Sequence, residues 1–217
     1  PLLQRLNHRP AANGHRPVRA LVLTPTRELA AQVSDSVSTY GKYLPLRSAV
    51  IYGGVSIRPQ LAALKRGVDL LVATPGRLLD HARQKTVDLS RVEMLVLDEA
   101  DRMLDMGFEP QVDSILKCVT RKKQTMLFSA TMPKDIQIFA ERILVNPKTV
   151  RSNATSPVKS VEHIFYKTHA NSKGAVLEDL LVRSEYKNML IFTRTKHKAK
   201  SLSRKLANSG YSATFLQ

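Results

Sequence analysis

The densest chemistry in this chain lies at Asp98-Glu99-Ala100-Asp101, three carboxylates within four residues, delivered by the apolar run Met94-Leu95-Val96-Leu97. Carboxylates that close repel one another unless a cation or hydroxyl donors sit among them. A strand ending in Asp is the arrangement by which a nucleotide-binding fold holds Mg2+ beside triphosphate oxygens. The adjacent Glu is placed to orient or deprotonate an attacking water. The plainer alternative is an acidic helix start, which is favourable to the helix dipole and common. Residues 124–128 read as a further strand, ending in Ser129-Ala130-Thr131. Hydroxyls on alternate residues of an extended segment point to one side, where they can bond a carboxylate. The alternative there is a Ser/Thr turn before Met132-Pro133.

Two other junctions match each other. Leu21-Val22-Leu23 runs into Thr24-Pro25-Thr26-Arg27, and Leu71-Val72-Ala73 runs into Thr74-Pro75-Gly76-Arg77. Thr suits an N-cap and Pro the first helical position, where no backbone N–H is needed. Arg in the first turn is the odd choice, because it sits at the positive end of the helix dipole at a cost of about 0.3–1 kcal/mol when exposed. A local rule broken twice in the same way points to a site. Two cationic helix starts on one sheet edge suit successive phosphates of a nucleic-acid strand. Gly53-Gly54, after a third strand, lets a backbone approach closely. The alternative is a pair of well-capped helices whose arginines point to solvent.

Taken together, these segments resemble a known family. Pro25-Thr26-Arg27-Glu28-Leu29-Ala30, Gly53-Gly54, Thr74-Pro75-Gly76-Arg77, Asp98-Glu99-Ala100-Asp101 and Ser129-Ala130-Thr131 occur in the order and approximate spacing of the DEAD-box RNA helicases. Leu190-Ile191-Phe192-Thr193-Arg194-Thr195 resembles the next motif, on a second domain. The wording around 24–33 is most similar to the bacterial RhlE-type branch.

The resemblance implies two RecA-like domains that close on ATP and on single-stranded RNA. Asp98 would hold Mg2+ through water, and Glu99 would activate the hydrolytic water. Asp101 would bond Ser129 and Thr131, tying the nucleotide site to domain closure. Pro25, Thr26, Arg27, Gly53, Gly54, Thr74, Pro75, Gly76 and Arg77 would lie along the RNA sugar-phosphate backbone, with Thr193, Arg194 and Thr195 adding contacts from the second domain. The family's Gly-rich phosphate loop is absent: nothing reads G-x-x-x-x-G-K-[ST], and neither the upstream adenine-recognition segment nor the later γ-phosphate arginines are present. The 217 residues alone are therefore expected not to hydrolyse ATP. Two alternatives stay open, a non-catalytic RNA-binding scaffold with a degenerate helicase fold, and a DNA helicase of the same superfamily.

Composition supports a polyanionic partner. The net charge is +16, and residues 151–217 hold 12 Lys and Arg against 4 Asp and Glu. Neutralising phosphates releases condensed counterions, so such an excess favours nucleic acid, although solubility or an anionic membrane would also explain it. With no Trp and few other aromatics, base-stacking platforms are not evident, which leaves the backbone as the handle. No apolar run approaches the ~20 residues that span a bilayer. The single cysteine, Cys118, reads as a small core residue late in a helix and suits a reducing cytoplasm.

Short apolar runs alternate with amphipathic stretches, the pattern of a parallel sheet covered by helices. Strands are expected over 20–23, 48–52, 70–73, 94–97 and 125–128, and helices over 26–44, 58–65, 76–84, 109–119 and 134–145. Residues 7–17 read as a loop. The expected organisation is a first RecA-like domain over 1–147, without its phosphate-loop strand, and a Pro- and Ser-containing linker over 148–160. The opening of a second RecA-like domain follows over 161–217, with strands at 161–166, 189–192 and 212–216 and helices at 173–185 and 196–209.

Overall fold

The computed structural model describes residues 1–8, 16–120, 123–151, 162, 164–183 and 188–216. They divide into two compact units, Pro1–Val150 and Arg151–Gln217.

The first unit runs α1 (Leu2–His8), β1 (Ala20–Leu23), α2 (Arg27–Tyr40), β2 (Ser48–Ile51), α3 (Arg58–Lys65), β3 (Leu70–Ala73), α4 (Pro75–Arg83), β4 (Met94–Leu97), α5 (Ala100–Asp105), α6 (Glu109–Cys118), β5 (Gln124–Leu127) and α7 (Lys134–Ile143). The five strands form one parallel sheet in the order β2-β3-β1-β4-β5. This is the helix-covered parallel sheet expected from the alternation, in the RecA-like form that the resemblance implies. A parallel sheet is covered on both faces, which is why its inner strands are apolar throughout. Every residue of β1, β3 and β4 is buried, whereas the edge strands β2 and β5 are largely half-exposed.

The period of two divides each strand between two cores. Leu21, Leu23, Leu71, Leu95 and Leu97 pack on one face beneath Leu78 of α4, Met103 of α5, Ile115 of α6 and Phe139 of α7. Val22, Leu70, Val72, Met94 and Val96 pack on the other, with Leu6 of α1 and Ala30 of α2. Each fully buried Leu contributes about 1.5–3 kcal/mol. Arg19, before β1, donates to the Leu6 carbonyl at 3.3 Å and to Glu93 at 3.2 Å, tying α1 to the end of the sheet opposite the strand exits.

Several details differ from expectation. Helix α5 realises the acidic helix start that was the plainer alternative at 98–101, although six residues are too few to show a period. Cys118 is exposed rather than a core residue. The buried stripe of α6 runs through Val112 and Ile115 and continues at Val119, so Cys118 falls beside the stripe. Residues 7 and 8 end α1, while 9–15, the rest of the expected loop, lie outside the described residues.

The second unit holds a short 3-10 turn (Ala170–Ser172), α8 (Lys173–Arg183) and α9 (Lys196–Asn208). Lys205 of α9 pairs with Glu178 of α8 at 2.7 Å. The runs 189–192 and 212–216 form no strand, and neither do the described residues of 161–166. Leu190, Phe192 and Leu216 are largely exposed. A strand needs a partner to complete its ladder, and an apolar run without one stays irregular. Residues 152–160 of the expected linker lie outside the described residues. Among those described, no helix is long and apolar enough to cross a membrane.

Candidate active site and nucleic-acid edge

Because all five strands are parallel, they leave the sheet along one edge. The register places Ile51, Ala73, Leu23, Leu97 and Leu127 side by side, with about 4.8 Å between neighbouring strands. Along this edge the exits therefore follow in the order Gly53-Gly54, Thr74–Arg77, Thr24–Arg27, Asp98–Asp101 and Ser129–Thr131. A basic half meets an acidic half between β1 and β4.

In the acidic half, the Asp98 amide donates to the Leu23 carbonyl at 3.0 Å and the Phe128 amide to the Leu97 carbonyl at 2.8 Å, extending the ladder past the strand ends. Glu99 then turns the chain in the left-handed region, at φ 47 and ψ 53, and α5 starts at Ala100. A left-handed residue other than Gly costs roughly 1–2 kcal/mol. The strain leaves the Glu99 side chain exposed at the exit. Asp101 occupies the first turn of α5, so the carboxylate cluster and the acidic helix start are the same object.

Asp101 is held across the gap to β5. Its carboxylate accepts the Thr131 hydroxyl at 2.7 Å, the Thr131 amide at 2.9 Å and the Arg102 amide at 3.0 Å. Burial alone would push its pKa up, but the Thr131 hydroxyl and amide, the Arg102 amide and the Ser129 hydroxyl outweigh that and hold it below the usual carboxylate value. Ser129 acts mainly on the backbone, accepting the Asp101 amide at 3.3 Å and donating to the Thr131 carbonyl at 2.7 Å. The expected Asp101–Ser129–Thr131 proximity is present, with Ser129 bonded to the Asp101 main chain.

Asp98 is half-buried, and one of its oxygens accepts the Glu99 amide at 3.1 Å. Among the described residues no group of three or more His, Cys, Asp or Glu converges on a point. Asp98 is thus a single hard carboxylate at the strand exit, the donor type a cation completing its shell with water and substrate oxygens could use. Mg2+ is ordinarily bound that way.

In the basic half, Thr26 caps α2 by accepting the Leu29 amide at 3.2 Å, and Thr24 donates to the Thr26 carbonyl at 3.3 Å. Thr74 begins α4 with no side-chain cap bond, leaving Pro75 to set the first turn. Pro25 and Pro75 are buried, and Gly76 is half-exposed beside Arg77. Both arginines turn toward the segment after β2. Arg77 donates twice to the Val55 carbonyl, at 3.2 and 3.3 Å, and lies 3.9 Å from Asp80. Arg27 stands 5.8 Å from the centroid of the Tyr52 ring and packs on Gly54. Gly54 has φ +76, which favours glycine, and a Cβ there would fall 2.6 Å from the Arg27 Nη1, so a side chain would push the guanidinium out of its place. Tyr52 and the Val55 carbonyl were not foreseen as partners of the arginines. Only the fold brings them within reach.

In the second unit the Thr193–Thr195 segment repeats the local build of 24–26. Thr193 donates to the Thr195 carbonyl at 3.0 Å, and Thr195 caps α9 by accepting the Lys198 amide at 3.2 Å. Arg194 is exposed.

An open parallel sheet with a carboxylate-bearing strand exit and glycine- and arginine-lined helix starts on the same edge defines a RecA-like α/β domain. Similarity to known proteins narrows this further. A family model for "DEAD/DEAH box helicase" matches residues 1–139, and this chain belongs to that family. It is 38% identical over 194 residues to "ATP-dependent RNA helicase DbpA" of Bacillus subtilis, covering 89% of this chain and 40% of that protein. It is 42% identical over 197 residues to "ATP-dependent RNA helicase CshA" of Listeria monocytogenes, covering 90% and 38%. The crystal structure of a DEAD box protein from the hyperthermophile Methanococcus jannaschii superposes with a TM-score of 0.61 at 35% identity, covering 93% of this chain and 54% of that one. The chain thus spans about two fifths of the curated relatives it matches.

Proposed function

We propose that this chain carries the hydrolytic carboxylates and the RNA-backbone edge of an ATP-dependent RNA helicase, whose ATP hydrolysis is stimulated by RNA and coupled to local duplex opening. The observation that carries the reading is the order of exits along one sheet edge, where the basic half abuts the acidic half between β1 and β4. Polyphosphate and ribose chain can then be held side by side.

Asp98 is the residue that would hold Mg2+, and the ion would supply neutralisation of phosphate charge. Glu99 orients the attacking water and takes its proton as the new oxygen–phosphorus bond forms and the bond to ADP breaks. Asp101, Ser129 and Thr131 lock the exits of β4 and β5 together, so movement at one is felt at the other. Thr26, Arg27, Gly53, Gly54, Thr74, Gly76 and Arg77 bind phosphates and riboses, helped by Pro25 and Pro75, which fix the helix starts. Thr193, Arg194 and Thr195 add contacts from the second unit. Reading through the backbone agrees with the scarcity of aromatic side chains. The lone thiol, Cys118, fits a cytoplasmic setting.

The test is Glu99→Gln in the full-length protein, which keeps shape and removes the base. RNA-stimulated ATP turnover is expected to fall by about 10²–10⁴-fold while RNA binding persists. Undiminished turnover would remove Glu99 from the mechanism. A full-length parent with no phosphate loop and no ATPase at all would favour the scaffold reading. The 217-residue chain alone, having no G-x-x-x-x-G-K-[ST] segment, is expected to show no turnover.

A further inference from the structure

Directly behind the basic half of the edge lies a buried polar chain that the roles above leave unused. Gln60 of α3 is 7% exposed and His81 of α4 is fully buried. The Gln60 amide Nε2 donates to the Tyr52 carbonyl at 3.0 Å and lies 3.5 Å from the Ser56 carbonyl. One side chain therefore reaches both feet of the 52–56 turn. Its Oε1 is 3.4 Å from His81 Nε2, and His81 Nδ1 is 2.8 Å from the Thr86 hydroxyl.

The protons can be assigned from the partners. Because Nε2 of Gln60 is committed to a carbonyl, its oxygen faces the imidazole, so Nε2 of His81 must carry the hydrogen. Nδ1 is then an acceptor facing the Thr86 hydroxyl, whose single hydrogen is shared between it and the His81 carbonyl at 3.0 Å. Burial, and after it the Arg77 charge, keeps the His81 pKa below the ordinary imidazole value against the pull of Asp80. The ring is thus neutral near pH 7, with a single N–H. The contacts link Thr86, His81, Gln60 and the Tyr52 carbonyl in one chain, and such chains polarise one another in a low-dielectric interior.

Satisfying buried groups is the commonest duty of such a network. The location argues for more. Among the described residues, no backbone-to-backbone hydrogen bond outside the regular elements engages residues 52–56. Side chains hold the turn instead, with Gln60 at its feet and Arg77 on the Val55 carbonyl at its crown. Arg27 rests against Gly54 in the same turn. A turn without main-chain bonds of its own takes the shape its clamps impose, and both arginines are oriented by that shape.

We infer that Gln60, oriented by His81, is a positioning residue for RNA: it fixes the 52–56 turn so that Gly54, Arg27 and Arg77 present one preformed surface to the ribose-phosphate backbone. The inference rests on the RNA reading of this edge given above. Gln60 touches no phosphate itself. Its loss loosens the surface and weakens binding of RNA without altering chemistry at Glu99.

The experiment uses the full-length protein as wild type, Gln60→Met and Thr86→Val, with ATPase measured against a single-stranded RNA titration. Methionine preserves length and volume but supplies no donor. For Gln60→Met, the RNA concentration giving half-maximal ATPase is expected to rise about five-fold, the equivalent of one hydrogen bond. Turnover at saturating RNA and the KM for ATP should stay at wild-type values. Thr86→Val, at the far end of the chain, should give a smaller rise of the same kind, and it decides alone should Gln60→Met not fold. An unchanged half-saturation accompanied by a lower melting temperature overturns the inference and leaves the RNA reading standing. A wild-type ATPase indifferent to RNA overturns both.

Discussion

The exits of β2, β3 and β1 and the exits of β4 and β5 share one sheet edge but are built by opposite means. In the basic half the arginines are held by main-chain and aromatic partners, the Val55 carbonyl for Arg77 and Tyr52 with Gly54 for Arg27. Neither partner neutralises the charge; Arg77 has the Asp80 carboxylate at the edge of ion-pair range, 3.9 Å away, so Arg27 keeps its charge for a ligand more fully than Arg77 does. In the acidic half Asp101 is saturated with donors, three of them to its carboxylate. Charge there is fixed in position and in protonation state. The first half suits a surface that must grip a repeating polyanion of any sequence, the second a site where one proton has to move.

Three measurements sharpen or break that contrast. The largest effect is expected at Asp101. Asp101→Ala leaves the Thr131 hydroxyl and amide without their acceptor and should cost about 1–3 kcal/mol in urea unfolding of the chain. The sign of its pH dependence follows from the lowered pKa. The folded carboxylate ionises more readily than the unfolded one, whose ordinary value is 3.8. The stabilisation is thus complete above that value and is lost as pH falls below it, through the lower pKa of the folded carboxylate. The gap between wild type and Asp101→Ala should close on acidification below about pH 4. A gap that widens there would mean the carboxylate is not held as an anion.

Next come the arginines. Arg27→Ala and Arg77→Ala should each weaken RNA binding by the full-length protein about ten-fold, the scale of one charge-assisted hydrogen bond. Each should also make the dependence of log K on log salt shallower, by about 0.7 for every phosphate left without its cation. Glu99→Gln should leave that slope unaltered. Equal slopes for all three variants would dissolve the distinction between the halves.

The smallest effect separates two helix starts that look alike in sequence. Thr26→Val removes an observed cap while keeping side-chain volume and should cost about 1 kcal/mol, whereas Thr74→Val, which breaks no cap bond, should cost less. Equal losses on thermal unfolding would contradict the geometry.

Much of this arrangement was legible before any coordinates. β1, β3 and β4 are four-residue apolar runs bounded by polar or turn residues, and burial of whole strands in a parallel sheet has few other readings. The edge order followed only from topology, since sequence tells that parallel exits share a side but not that β1 lies between β3 and β4. The Gln60–His81 pair was invisible, because two polar residues 21 positions apart on different helices leave no local pattern. The left-handed turn at Glu99 was equally hidden, as Glu carries no preference for that region. The runs at 189–192 and 212–216 have strand-like composition and remain irregular. Helix caps such as Thr195 depend on neighbours three residues away and form in both units, while strands depend on distant partners.

The φ of +47 at Glu99 carries a practical warning for anyone engineering this domain. Replacement by glycine would relax the backbone there by roughly 1 kcal/mol, so selection for heat resistance alone should favour it. Under the proposed reading the same change deletes the base. Robustness and turnover pull against each other at a single peptide, and a stabilised variant recovered without an activity screen would be the one least able to do its work.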